Sequence, residues 1–116
     1  MAVNTVRTLM EDYIKDIGER AVLVVAKEQA NLEALRELGG TSTASEANGW
    51  RIAYDNEDQL AAILQRLRDI GMAFLGGNAG WPPAGVADLL REKGKMRGAI
   101  REIIWAGPDH QVVVEK

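Results

Sequence analysis

The chain has no cysteine and a single histidine, His110. Without thiols there is no disulfide, no thiolate nucleophile and nothing that points to an oxidising compartment. One imidazole does not make a zinc site, and His110 falls in a turn pattern where a histidine is an ordinary solvated residue. The two serines, Ser42 and Ser45, lie in a polar stretch without the strand-turn-helix setting that exposes a hydrolase serine. Triad chemistry therefore has no support. No run approaches the roughly 18 apolar residues of a membrane span, and Met1 to Met10 lacks the basic start and apolar centre of a signal peptide. These absences lead to the expectation of a cytoplasmic protein with no membrane partner.

What is present is the composition of a globular domain: 116 residues, 47% hydrophobic and 27% charged. That length suits one domain, residues 1–116, with a core of its own. The net charge of −3 is unevenly placed. The first 58 residues carry six Lys/Arg against eleven Asp/Glu, and the remainder eight against six. The basic excess comes mainly from "REKGKMRGAIR", which gathers Arg91, Lys93, Lys95, Arg97 and Arg101.

Apolar spacing predicts the elements. In "VNTVRTLMEDYIKDIG", Val6, Leu9, Met10, Tyr13, Ile14 and Ile17 recur at intervals of three and four, which predicts a first amphipathic helix ending at Gly18. Asp12, Asp16 and Glu19 would then form its solvated face. "RAVLVVA" reads as a buried strand, because β-branched side chains lose rotamer freedom in helices. A competing reading runs one helix from Glu19 through Leu38. Residues Glu28 to Leu38 are helical through Leu32, Leu35 and Leu38, stopped by Gly39 and Gly40. "TSTASEANG" reads as a loop and "WRIAY" as a strand with Trp50, Ile52 and Tyr54 on one face. "DNEDQLAAILQRLRDIG" is the clearest helix, capped by Asp55 or Asn56 and striped by Leu60, Ile63, Leu64, Leu67 and Ile70. "MAFL" follows as a short strand. A helix then begins at Pro82 and Pro83 and runs through Val86, Leu89 and Leu90 to Gly94. "AIREIIW" and "QVVVEK" close the chain as a hairpin across Gly107 and Pro108, the last strand spanning 110–115.

Two segments echo each other. Asp16-Ile17-Gly18 matches Asp69-Ile70-Gly71, and Leu35-Arg36-Glu37 with Gly39 matches Leu90-Arg91-Glu92 with Gly94. The echo predicts tandem αβαβ units over 4–54 and 56–105. The fold class expected is α/β, with α+β as the alternative: four or five strands in one sheet, with "VLVV" central and "QVVVEK" at an edge.

Three surfaces compete for a function. "GGNAGWPPAG" sits between a strand and a helix, where glycine-rich loops bind phosphate. It lacks the G-x-G-x-x-G and Gly-Lys-Ser/Thr orders, and its prolines remove two N–H donors. Its better use is presentation of Trp81, flanked by Asn78 and Pro82, to a partner protein; the alternative is Trp81 folded back on the core. The basic group Arg91, Lys93, Lys95, Arg97 and Arg101 could contact phosphate or nucleic acid, with the hairpin as a wing; its plainer reading is a solvated helix end. Asp55, Glu57 and Asp58 follow a strand end, where a metal or general base is sometimes held, but helix capping uses the same residues. The expectation is a non-enzymatic protein that binds another protein or itself. It would need no cofactor and belong to the accessory, regulatory or inhibitor type that phages and mobile elements encode. The alternatives are a nucleic-acid or nucleotide-binding regulator and a small metal-dependent enzyme.

Overall fold

A computed structural model of the chain describes residues 3–6, 12–44, 47–76, 82–107 and 110–115. Eight strands and three helices follow in the order β1 (Val3–Val6), β2 (Tyr13–Ile17), β3 (Ala21–Val25), α1 (Gln29–Glu37), β4 (Thr41–Ser42), β5 (Gly49–Ala53), α2 (Glu57–Asp69), β6 (Ala73–Leu75), α3 (Pro83–Glu92), β7 (Arg101–Gly107) and β8 (His110–Glu115). All eight strands join one sheet in the order β1-β8-β7-β6-β2-β3-β5-β4. The α/β class holds, and the strand count exceeds the four or five expected.

The excess has three sources. The predicted first helix is instead strand at Val3–Val6 and at Tyr13–Ile17, and the predicted loop after Gly40 contributes the short β4. In β2 only Ile14 is fully buried, with Tyr13 and Ile17 half-buried. Its backbone pairs parallel with Ala73 and Phe74 on one side and antiparallel with Tyr13↔Val25 and Ile17↔Val22 on the other. Pairing with strands on both sides overrides the local helical spacing. "VLVV" is interior as expected, but "QVVVEK" is not an edge: β1 pairs outside β8, Val3↔Val114 through Val6↔Gln111.

β2, β6 and β7 run parallel, and each remaining pairing is antiparallel. Two crossovers, β5-α2-β6 and β6-α3-β7, move along the sheet in one direction. The third, β3-α1-β4, starts from a strand of opposite sense and moves the opposite way. Reversing both leaves a right-handed crossover on the same face, so one face receives all three helices. The packing agrees, because Leu35 of α1, Leu60, Leu64 and Leu67 of α2 and Ala87 and Leu90 of α3 share one core with Ile14, Val22, Val24, Ile52 and Phe74 of the sheet. The alternate side chains of the strands, Ala73, Ile103 and Val113 with Tyr13 and Leu75, form a second, smaller apolar group on the opposite face.

The helices end alike. Gly39, Gly71 and Gly94 have φ of 82°, 86° and 73°. Each donates to the carbonyl three residues back, and the following residue donates to the carbonyl five back: Gly40 to Leu35, Met72 to Leu67 and Lys95 to Leu90. This is the Schellman stop, which needs a left-handed residue that glycine adopts without strain. It also explains the echo. Leu-Arg-Glu-x-Gly is the same helix stop at the ends of α1 and α3, and Asp69-Ile70-Gly71 is the stop of α2. Asp16-Ile17-Gly18 instead ends a strand, so the two halves do not share the order αβαβ.

Candidate functional site

Gly76 ends the ladder of β6, donating its N–H to the Ile103 carbonyl at 2.9 Å. A Cβ there would stand 2.5 Å from the Glu102 carboxylate, so a larger residue would require that flexible side chain to move. The chain is next described at Pro82, extended with φ −64° and ψ 152°, which serves as the N-cap residue of α3 with Pro83 in its first turn. Pro82 is half-buried and Pro83 buried. The corner between β6 and α3 is thus fixed at both ends. Asn78 and Trp81, the other residues expected to contact a partner, lie outside the described residues, as does the Pro108 turn.

The basic segment and the acidic group, which the sequence suggested as separate sites, meet each other. Lys93 Nζ lies 2.9 Å from Glu57 Oε2, and Lys95 Nζ is 3.1 Å from Glu57 Oε1 and 2.7 Å from Asp58 Oδ1. Hydrogen bonds from Lys93 first and Lys95 second hold the Glu57 carboxyl below its usual range. Asp58, then Glu57, hold the Lys95 ammonium above its own. Farther along α2 the Gln65 amide reads the backbone of Arg97 in both directions, accepting from its N–H at 2.8 Å and donating to its carbonyl at 3.2 Å. Arg68 Nε donates to the Ala99 carbonyl at 2.9 Å and packs on Gly98, which has a left-handed φ of 90° and where an added Cβ would meet the guanidinium of Arg68. Between these contacts Met96 is buried, and Ile100 beyond them is fully so. Residues 93–100 therefore form a strap laid along α2.

Two of the three remaining cations of the cluster are also engaged. Arg91 pairs with Asp88 at 3.0 Å, and Arg101 Nη1 donates to the Gly71 carbonyl at 2.9 Å. Arg97 is exposed, and its backbone is what Gln65 holds. A shallow cleft of about 650 Å³ opens beside the strap, lined by Asp88, Arg91, Glu92, Met96 and Gly98, with both charge signs on its rim. A second, of about 400 Å³, lies between Leu38, Ala53, Asp55, Gln59, Ala62 and Ile63.

None of the acidic trio caps α2: Asn56 does, its Oδ1 accepting from Gln59 N–H at 2.9 Å, while Glu57 and Asp58 occupy the first turn. Asp55 is placed by its own N–H, which donates to Gln59 Oε1 at 2.6 Å. Among the described residues no three His, Cys, Asp or Glu side chains group to hold a metal ion. Tyr54 lies next to this end of the sheet, its hydroxyl donating to the Gly18 carbonyl; burial first and Glu19 second push its pKa up.

Asp12, expected on a solvated helix face, is instead buried at 6% exposure. Its carboxylate accepts from Lys27 N–H at 2.9 Å, Glu28 N–H at 3.0 Å and Asn31 Nδ2 at 2.8 Å. Glu28, the N-cap residue of α1, makes no side-chain cap of its own, so Asp12 supplies the acceptors where the chain leaves β3. No local signal marks this, because the partners lie 15 to 19 residues away. Gln65 and Arg68 escaped notice for the same reason; on the sequence they are merely the polar face of a helix.

Comparison with family models, with curated proteins and with solved structures finds no match for this chain. Among the described residues no helix is long and apolar enough to cross a membrane.

Proposed function

We propose that the protein acts in the cytoplasm by binding another protein, without catalysing a reaction, and that Asn78, Trp81 and Pro82 form its contact. The observation that supports this reading is the strap. Lys93 and Lys95, which a nucleic-acid surface would present to phosphates, are held by Glu57 and Asp58, which a metal-dependent enzyme would present to its ion. Each alternative would draw on side chains that the fold pairs with one another, at the small cost of breaking each exposed pair. The contact proposed for Asn78, Trp81 and Pro82 draws on none of these paired side chains. Pro82 is held at the start of α3, half-buried and extended, next in the chain to the tryptophan. Tryptophan is among the residues that dominate protein interfaces.

The test is quantitative recovery of partners from an extract of the native host, using tagged wild type, Trp81→Ala and the double variant Lys93→Ala/Lys95→Ala, each with and without nuclease. The reading expects a protein recovered near one-to-one with wild type and with the lysine double variant, insensitive to nuclease, and reduced at least about tenfold by Trp81→Ala, as for a hot-spot residue. Recovery that nuclease or the lysine changes abolish would establish the nucleic-acid alternative instead.

A further inference from the structure

The two edges of the sheet are unlike. At one edge β4 is two residues long, Thr41 and Ser42, both exposed, and pairs only with Trp50 and Arg51 of β5. At the other, β1 offers Val3-Asn4-Thr5-Val6, bonded to β8 on its inner side and with no strand beyond it among the described residues. Natural edges are protected by shortness, charge, proline or a bulge. β4 has the first of these. β1 has no charge and no proline, and its register against β8 runs without a break.

We propose that β1 is a self-association surface, where a second copy of this chain pairs its own β1 antiparallel to the first. The asymmetry of the edges selects this occupant. A sheet with two adhesive edges would add copies head to tail without limit, whereas one competent edge paired with itself about a two-fold axis closes as a dimer. The register is constrained as well. Along an edge strand, alternate residues direct their N–H and C=O outward, and antiparallel partners must both do so. Two-fold pairing therefore sets a residue opposite its own copy, never opposite a neighbour of the other parity. For a four-residue strand the axis passes at Asn4 or at Thr5. This surface is independent of the contact proposed for residues 78–82, so either can fail without the other.

The absence of cysteine makes the test direct. Cα atoms directly opposite in an antiparallel pair are roughly 4.5 to 5.5 Å apart, within disulfide reach. Asn4→Cys and Thr5→Cys, made singly and oxidised with a glutathione couple, are expected to differ: one forms a covalent dimer at least tenfold faster than the other and than an Ala62→Cys control on the exposed face of α2. Sedimentation velocity of the unmodified chain, from micromolar to millimolar concentration, should show the mass rising from 12.7 kDa toward double that value. Asn4→Lys, which adds edge charge while leaving the β8 pairing available, should hold it at 12.7 kDa. A mass that stays monomeric throughout, or a dimer unaffected by Asn4→Lys with neither cysteine cross-linking above the control, overturns the proposal.

Discussion

Replacing Asp12 by alanine removes three acceptor contacts from a site that is 6% exposed. Hydrogen bonds to a charged group contribute about 1.5–3 kcal/mol each, so the gross loss is several kcal/mol. Two effects reduce it: the variant no longer desolvates a carboxylate, and water can reach the partly buried N–H groups of Lys27 and Glu28. The lower bound is the loss of a helix cap alone, about 1 kcal/mol. We expect about 3 kcal/mol for Asp12→Ala, read by urea denaturation with an unchanged m value. At about 2.1 cal/mol/K per residue of unfolding entropy, that corresponds to a Tm lower by about 12 °C. Asp12→Asn keeps one acceptor oxygen and turns the other group into a donor facing donors, so it should cost nearly as much as alanine. Asn31→Ala, which removes only the side-chain partner, should cost about 1 kcal/mol and lose its effect in the Asp12→Ala background. An Asp12→Ala variant within about 0.5 kcal/mol of wild type, the range of ordinary surface substitutions, would refute the assignment of this carboxylate as the anchor of α1.

Three further outcomes concern the strap and the titrating groups of the fold. Gln65→Ala should cost about 1–2 kcal/mol in denaturant, since it removes both hydrogen bonds to the Arg97 backbone while Met96 and Ile100 stay anchored. Gly98→Ala should cost about 2–3 kcal/mol, combining the left-handed penalty with collision against Arg68. In an Arg68→Ala background its cost should fall toward the conformational part alone, so equal costs in both backgrounds would remove the collision from the account. Stability should also be bounded by pH on both sides. Glu57 and Asp69 have lowered pKa values, the latter through Gln65 and then Arg68, so their contribution is present above the unfolded values of 4.5 and 3.8 and is lost as pH falls through the lower folded ones. Lys95 and Tyr54 are raised, so theirs is complete below 10.5 and 10.0 and is lost as pH rises through the higher folded values. Thermal melts should accordingly be flat through the neutral range and fall at both ends; the acid-side fall should be smaller in Glu57→Gln.

The parts legible in the sequence are those whose cause is local. The apolar stripe of α2, the Asn56 cap, the Pro82-Pro83 start of α3 and the glycine stops all depend on residues within two turns of one another, and the structure holds each near its expected place. β2 was not legible. Tyr13, Ile14 and Ile17 fit a helical face as well as a strand, and the deciding partner, Ala73-Phe74, lies about sixty residues on. The candidate surfaces show the same division. Lys93 and Lys95 are readable as a basic cluster, but their partners Glu57 and Asp58 are 36 and 37 residues earlier, so two apparent sites become one ion-paired strap only in three dimensions. The matched glycines misled for a related reason: Leu-Arg-Glu-x-Gly reports how a helix ends, which any helix can share, and says nothing of what precedes it.

The proposed contact of Asn78, Trp81 and Pro82 with a partner protein leaves the basic strap to serve the fold. Titration of the recovered partner against wild type, Trp81→Ala and Lys93→Ala/Lys95→Ala, with circular dichroism confirming each fold, separates the two surfaces. The expected Kd is at least about tenfold weaker for Trp81→Ala, as a hot-spot contact requires, and within about threefold of wild type for the lysine double variant. An unchanged Kd for Trp81→Ala together with a large loss for the lysine variant would contradict it.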